Sequence, residues 1–194
     1  MAFSQYKIFT KNHICPWWLA YPFDNPIRKI FHKPHRMLSP YIQAGMTVMD
    51  VGCGMGFFSL AMAKMVGEKG KVIAVDLQPK MLAVTKRRAL RASVANRITT
   101  RLCQPDKIGV AQAVDFVLTF WMVHEVQDKI QFFSQLNSTL VPNGKLLIAE
   151  PKMHVAATQF LQILETAQSI GLKLQGQPAI RFSRSALFKK STRH

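Results

Sequence analysis

The stretch that decides the fold is Val48-Met49-Asp50-Val51-Gly52-Cys53-Gly54-Met55-Gly56-Phe57-Phe58-Ser59. It begins as an apolar run with strand character, passes through three alternating glycines and continues into a pattern typical of a helix. Alternating glycines let the backbone turn sharply and approach a ligand closely, because they carry no Cβ that would collide with it. We therefore predict a strand, a ligand-binding loop and a helix, with a purely structural glycine-rich turn as the alternative.

The spacing of the glycines separates two kinds of nucleotide site. A dinucleotide fingerprint, GxGxxG, would place its third glycine where Phe57 stands, but the spacing here is GxGxG with Asp50 two residues before the first glycine. A second carboxylate, Asp76, closes the apolar run Val72-Ile73-Ala74-Val75. It can accept hydrogen bonds from both hydroxyls of a ribose, although an isolated Asp at a strand end can instead cap a helix.

Outward from this loop, short β-rich runs alternate with helical patterns, which indicates a largely parallel sheet covered on both faces. The predicted strands are Thr47–Val51, Lys71–Asp76, Ile98–Leu102, Val114–Phe120 and Gly144–Ala149. The predicted helices are Phe58–Val66, Pro79–Ala92, Lys129–Leu140 and Val155–Ile170. Asp50, Asp76 and Glu150 fall at or near the carboxyl ends of these strands, where open α/β sheets bind ligands.

The last two predicted strands, Leu172–Gln175 and Ile180–Phe188, are joined by a tight Gly176-Gln177-Pro178 connection. Only an antiparallel hairpin can use so short a link. The sheet is therefore predicted to be mixed, with one reversed strand.

The motif Asp50-Val-Gly-Cys-Gly-Met-Gly resembles, residue by residue, the first motif of class I S-adenosylmethionine-dependent methyltransferases. The second half of the core resembles the small-molecule branch of this family, of the ubiquinone and menaquinone biosynthesis type (methyltransferase type 11). The resemblance lies in the exit of the fourth predicted strand, Thr119-Phe120-Trp121-Met122-Val123-His124-Glu125, in the helix that follows and in Leu140-Val-Pro-Asn-Gly-Lys. The resemblance covers roughly residues 41–150. It implies an α/β, Rossmann-like three-layer sandwich with a mostly parallel seven-stranded sheet and one antiparallel strand near the C-terminus.

The resemblance also implies S-adenosyl-L-methionine as cofactor and S-adenosyl-L-homocysteine as product. The implied cofactor contacts are Asp50, Gly52, Cys53, Gly54, Gly56, Phe57, Asp76, Leu77, Gln104, Asp106 and Thr119. The glycine loop would hold the methionyl part and Asp76 the ribose. Cys103, Gln104 or Asp106 would contact the adenine amino group; Asp106 is favoured, with helix capping as its alternative explanation.

Methyl transfer from a sulfonium is an in-line displacement that positioning in a water-poor pocket can accelerate, so a strong base is optional. If the acceptor must lose a proton, His124 is the predicted base, because the unperturbed pKa of histidine is about 6.5. Glu125 and His154 are weaker candidates. The alternative for His124 is that it caps the following helix or packs beneath it.

The predicted function is methyl transfer to a small-molecule acceptor. A net charge of +16 keeps RNA methylation open as an alternative, while a solvated basic surface or a scaffold without catalysis would explain the same chain differently. The strand exit lacks the Pro-Pro-aromatic and Pro-Cys signatures of enzymes that methylate bases. No oligomeric state is predicted.

With 194 residues the chain suits one core domain, residues 41–194, preceded by an arm or lid, residues 1–40. Trp17 and Trp18 need a surface to cover, so we expect Cys15 to Phe23 to lie over the carboxyl ends of the strands, with a plain packing arm as the alternative. Three scattered cysteines argue against disulfides and against a metal site. The apolar runs are too short to cross a bilayer and no secretory signal is evident, so a cytoplasmic location is expected.

Overall fold

The computed structural model describes residues 31–191, and it contains seven strands and five helices within that range. The strands are β1 Thr47–Val51, β2 Lys71–Asp76, β3 Ile98–Leu102, β4 Val114–Phe120, β5 Leu140–Pro151, β6 Leu172–Gly176 and β7 Ser183–Lys190. The helices are α1 Pro34–Leu38, α2 Phe57–Met65, α3 Pro79–Arg91, α4 Lys129–Thr139 and α5 Ala157–Ser169. Short 3₁₀ turns occupy Ala95–Arg97 and Val123–Glu125.

The strands form one sheet in the order β3-β2-β1-β4-β5-β7-β6. Strands β1 to β5 pair in parallel, and β7 runs antiparallel to both of its neighbours, β5 and β6. The chain moves outward from β1 to β3 and then returns to place β4 on the other side of β1. This reversal opens a crevice at the carboxyl ends of β1 and β4, which is where open α/β sheets bind ligands.

Apolar side chains on alternate positions of the central strands build the two interfaces between sheet and helices. On β4, Phe116 and Leu118 pack in the layer with α1, α2 and α3, whereas Val117 packs in the layer with α4 and α5. Phe116 and Leu118 are fully buried. The predicted three-layer α/β sandwich with a mostly parallel seven-stranded sheet is thus confirmed.

Two strand predictions need correction. Strand β5 begins at Leu140 rather than Gly144, because the predicted turn is a bulge within the strand: Val114 pairs with Leu140, and Phe116 pairs with Lys145. The bulge is accommodated by Asn143, whose φ is +65°.

The hairpin link is also longer than predicted. Strand β7 begins at Ser183 rather than Ile180, because the chain is still turning there: Ser183 N–H donates to the Ile180 carbonyl at 3.1 Å, and Phe182 has a φ of +59°. Residues 177–182 therefore connect β6 to β7, and the expected tight Gly176-Gln177-Pro178 connection is wrong. The expected antiparallel pairing is confirmed.

The connection from β3 to β4, residues 103–113, contains no helix, and Gln135 of α4 forms hydrogen bonds with its backbone. Gln135 accepts a hydrogen bond from Ile108 N–H at 2.9 Å and donates one to the Asp106 carbonyl at 2.7 Å. Ile108 is buried beneath this loop. The loop thus covers the sheet where a helix would otherwise lie.

The N-terminal side of the core begins with α1, whose Leu38 is fully buried against the layer that contains α2. The predicted lid at Cys15 to Phe23, including Trp17 and Trp18, lies outside the described residues. Of the helices within residues 31–191, none combines the length and the apolar character needed to cross a bilayer.

Candidate active site

The three glycines after β1 all have left-handed backbone, with φ of +72° at Gly52, +53° at Gly54 and +81° at Gly56. An added Cβ at Gly52 would lie 2.8 Å from Cγ of Met122, so this glycine lets the loop after β4 approach. An added Cβ at Gly56 would lie 2.8 Å from atoms of Leu60 and Thr85. An added Cβ at Gly54 meets no atom of residues 31–191 within 4 Å. Gly54 therefore faces the open side of the loop, where a ligand can approach the backbone.

Asp50 supports this loop from beneath. Its side chain is buried, and its Oδ2 atom accepts a 2.5 Å hydrogen bond from the Ser59 hydroxyl in the first turn of α2. Phe57 is the first residue of α2 and is half-buried. The predicted motif residues from Asp50 to Phe57 thus lie together around the glycine loop. Asp50 is buried beneath the loop, where it stabilises the start of α2 through Ser59.

Asp76 ties the end of β2 to the glycine loop. Its Oδ2 accepts a hydrogen bond from Gly54 N–H at 2.8 Å, and its Oδ1 accepts one from Gln78 N–H at 2.9 Å. Burial raises the pKa of Asp76, and the hydrogen bonds from the amides of Gln78, Gly54 and Leu77 only partly oppose that effect. A carboxylate has about four acceptor positions and these amides use at most three of them, so the group can still receive a hydroxyl donor.

Two cysteines lie close to Asp76, and neither is activated. Burial, followed by the charges of Asp50 and Asp76, raises the pKa of the Cys53 thiol well above its ordinary value. Burial and the charge of Asp76 raise the pKa of the Cys103 thiol to about 11. Because thiolates rather than thiols are nucleophiles, these side chains act as neutral walls of the site at neutral pH.

Of the three candidates for the adenine contact, the structure places Cys103 next to Asp76, whose carbonyl accepts its N–H at 3.1 Å. Gln104 and Asp106 lie in an exposed turn closed by Gln104 N–H to the Lys107 carbonyl at 2.9 Å. The adenine role of Asp106 or Gln104 stays a prediction.

Two further predicted cofactor residues lie at strand ends. Leu77 is half-buried directly after β2. Thr119 is fully buried near the end of β4, beside Val51 of β1, and its Oγ1 atom has no hydrogen-bond partner among residues 31–191. A buried hydroxyl without a partner is uncommon, so Thr119 is a polar group available beneath the crevice.

Glu150, near the end of β5, organises the loop that follows β4. It is fully buried, and its Oε1 accepts hydrogen bonds from the backbone N–H groups of Met122 and Val123 at 3.1 and 3.0 Å. Its Oε2 accepts the backbone N–H of His124 at 3.1 Å and lies 2.5 Å from Nδ1 of the same histidine. In the sequence Glu150 is recognisable as an acidic residue near a strand end, and no specific role in the site is predicted for it.

His124 lies at the surface of this arrangement, with 26% of its side chain exposed. Burial lowers its pKa, but the hydrogen bond and charge of Glu150 and the charge of Glu125 outweigh burial and the opposing charge of Lys129, so the pKa is raised. Its Nε2 lies 4.0 Å from Oε1 of Glu125, and its ring centroid lies 6.3 Å from that of His154. The three predicted acid-base candidates are thus brought together.

Aromatic side chains cluster at the end of β4, in the segment that precedes His124 in the chain. Trp121 has a φ of +59° and donates from Nε1 to the Ser183 hydroxyl at 2.8 Å. The ring of His32 packs edge-on against Phe120 and Trp121, and its Nε2 lies 3.0 Å from the Arg181 carbonyl. Within the described part of the chain, no group of three His, Cys, Asp or Glu side chains could hold a metal ion.

Comparison with known proteins agrees with this architecture. The model of a family described as "Methyltransferase domain" matches residues 42–179. The chain is 30% identical to the demethylmenaquinone methyltransferase of Shouchella clausii (strain KSM-K16) over 112 residues, which are 56% of this chain and 46% of the relative. It is 30% identical to the ubiquinone biosynthesis O-methyltransferase of Xanthomonas campestris pv. campestris (strain B100) over 140 residues, 69% of this chain and 55% of the relative.

The chain thus spans about half the length of these curated relatives. Its fold is similar to that of a SAM dependent methyltransferase from Aquifex aeolicus, with a TM-score of 0.80, 22% identity and coverage of 91% of this chain and 99% of that one. The chain belongs to the methyltransferase domain family and has the fold of class I S-adenosylmethionine-dependent methyltransferases.

Proposed function

We propose that this protein transfers a methyl group from S-adenosylmethionine to a small-molecule acceptor and releases S-adenosylhomocysteine. The observation that carries the proposal is the meeting of an open glycine loop, the Asp76 carboxylate and the His124 imidazole along one carboxyl edge of the sheet. The first two suit a methionine-linked nucleoside and the third suits proton removal from an acceptor.

The residues present fit this cofactor. The open space at Gly54 admits close approach of a ligand to the backbone, and the carboxylate of Asp76 beside it can accept ribose hydroxyls. Phe57 occupies the position of the third glycine of a dinucleotide site. When bound, the cofactor supplies an electrophilic methyl group on a sulfonium.

The chain's own residues would assist the transfer in two ways. Phe120, Trp121 and Met122, which directly precede the His124 turn, would restrict water beside the acceptor, which would strengthen electrostatic interactions there. His124 would remove a proton from the acceptor at Nε2, and the buried carboxylate of Glu150 would stabilise the imidazolium that forms. The exposed fraction of the His124 side chain, 26%, gives an acceptor access to that atom.

One basic surface lies away from the proposed acceptor position, which favours a small acceptor over RNA held by that surface. Lys152 and Arg181, outside that surface, are exposed as well. Between Asp76 and Asp106 the chain has no acidic residue, and the exposed cations of that stretch lie on α3 and the edge strand β3. They are Lys80, Lys86, Arg87, Arg91 and Arg101. Strand β3 is three positions from β4 in the sheet, so this surface lies about 14 Å to the side of the His124 loop. RNA held there would not be centred on the acceptor side of the crevice.

The decisive experiment uses cofactor labelled on its methyl group. The protein and the labelled cofactor are incubated in one reaction with a small-molecule extract and in a second reaction with total RNA. Gly54→Val, in which a side chain blocks the glycine loop, is the control. We expect label in a low-molecular-mass product with the natural protein and none with the control. Label that enters RNA alone would replace the small-molecule assignment with RNA methylation.

A further inference from the structure

We propose that Glu150 is the positioning residue for His124: it fixes the imidazole with its proton on Nδ1 and so presents the lone pair of Nε2 to the acceptor. This inference rests on the proposed function and extends it to a residue at the end of a different strand. It concerns the orientation of the base, and Glu150 itself has no contact with the acceptor.

The geometry begins with the donors that surround the carboxylate. Glu150 is fully buried, and it collects three backbone N–H groups, from Met122, Val123 and His124, at 3.0 to 3.1 Å. A buried carboxylate is costly unless hydrogen bonds compensate it, and these three donors supply that compensation. They also fix the path of the loop after β4 relative to β5.

Glu150 also contacts the imidazole ring of His124, and this contact is not needed to hold the backbone of the loop. Nδ1 of His124 lies 2.5 Å from Oε2 of Glu150. An ionised carboxylate can only accept hydrogen bonds, so the proton of a neutral imidazole must sit on Nδ1 and the lone pair on Nε2. The two ring nitrogens therefore have distinct roles, set by one carboxylate.

Other charged groups near the ring cannot substitute for Glu150. Glu125, in the same 3₁₀ turn, approaches only Nε2, at 4.0 Å. Lys129, at the start of α4, opposes protonation of the ring, and His154, after β5, lies with its ring centroid 6.3 Å away. Among the described residues, only Glu150 is within hydrogen-bond distance of Nδ1.

The substitution Glu150→Gln should reverse this arrangement. With its oxygen at the place of Oε1, the amide still accepts Met122 N–H and Val123 N–H, while its nitrogen faces Nδ1 of His124 and one backbone donor, the His124 N–H, whose bond is lost. The opposite orientation would set the amide nitrogen against two backbone donors, so it is disfavoured. The amide nitrogen then donates to Nδ1, the ring proton moves to Nε2, and the acceptor faces an N–H instead of a lone pair.

Diethyl pyrocarbonate tests the lone pair without needing the acceptor. Its carbonyl carbon forms a bond with an unprotonated imidazole nitrogen, and ethanol and carbon dioxide leave. We expect Glu150→Gln to slow the modification of His124 by at least about tenfold, with the modified peptide quantified by mass spectrometry. This is well within the loss of kcat that a reversed histidine tautomer causes in serine proteases. Exposed His154 is the internal control, and its rate should stay within about twofold.

Two measurements guard against a variant that folds poorly. The affinity of Glu150→Gln for S-adenosylhomocysteine, measured by calorimetry, should match that of the natural protein. If the natural protein itself does not bind S-adenosylhomocysteine, the proposed function is contradicted instead. Nitrogen-15 NMR of the natural protein, assigned with His124→Asn, should show His124 as the Nδ1–H tautomer. An Nε2–H tautomer, or an unchanged rate of His124 modification in Glu150→Gln, would overturn the role of Glu150.

Discussion

The backbone N–H of Gly54 donates a 2.8 Å hydrogen bond to Oδ2 of Asp76, so the glycine loop and the end of β2 form one unit. Gly52 and Cys53 add to this link, because their N–H groups donate to the Val75 carbonyl at 2.9 and 3.0 Å. The methionyl side and the ribose side of the proposed cofactor site therefore depend on each other.

Replacing Asp76 with Ala should weaken binding of S-adenosylhomocysteine by roughly 1.5–3 kcal/mol, the usual contribution of hydrogen bonds to a charged group. The change also removes the acceptor for Gly54 N–H. Titration calorimetry measures the effect. Glu68→Ala is the control, because Glu68 is an exposed carboxylate in the turn between α2 and β2 and has no predicted role in the site. Equal affinity in a folded Asp76→Ala protein would mean that the ribose is held elsewhere.

Two alanine substitutions should separate ligand binding from folding within the loop. Gly54→Ala should cost roughly 1–2 kcal/mol of folding free energy for its left-handed backbone and weaken binding of S-adenosylhomocysteine by at least about tenfold, since the new Cβ enters the open side of the loop. Gly56→Ala should cost about 1–3 kcal/mol more, because its Cβ meets buried Thr85.

Urea denaturation and calorimetry on both variants test this division. A Gly54→Ala protein that binds the product as well as the natural protein does would place the ligand away from this loop. A Gly56→Ala protein as stable as Gly54→Ala would show that the side chains of Thr85 and Leu60 can move away from the new Cβ at little cost in free energy.

Strands β1, β2 and β4 could be predicted because they are largely apolar runs, and β3 because of its β-branched residues. Strands β1 to β4 have the predicted bounds. The start of β5 could not be predicted, because Pro142-Asn143-Gly144 has the composition of a turn, and only pairing with β4 makes it a bulge. The length of the β6 to β7 link was missed for a similar reason, since the turn at Ile180 to Ser183 depends on contacts such as that between Lys152 N–H and the Phe182 carbonyl.

The site was predictable where its residues are neighbours in sequence. The motif from Asp50 to Phe57 indicated a ligand loop by itself, whereas Glu150 and His124 are 26 residues apart and meet only because β4 and β5 are adjacent. An acidic residue at the end of a buried strand was the available signal for Glu150. Nothing in the local sequence shows which backbone donors such a carboxylate will receive.

The glycine spacing predicts ligand selectivity. Calorimetry should detect binding of S-adenosylmethionine and S-adenosylhomocysteine and none of NAD, because Phe57 replaces the glycine that a dinucleotide site requires. Gly54→Ala should reduce both heats, which would tie them to this loop. Tight NAD binding without a response to the other two ligands would contradict the cofactor assignment.

The pairing of His124 with Glu150 predicts how stability depends on pH. The pKa of His124 is raised in the folded state above 6.5, its ordinary value, so the folded protein binds a proton more tightly than the unfolded chain does. The stabilisation is fully present below about pH 6.5 and is lost as the pH rises through the folded pKa.

The free energy of unfolding, measured in urea from about pH 6 upward, should therefore fall more steeply in the natural protein than in His124→Asn, whose amide can still donate to Glu150 but cannot gain a proton. The raised pKa of Asp76 does not disturb the comparison, since both proteins share that group. Parallel curves for the two proteins would mean that the carboxylate does not favour the protonated imidazole.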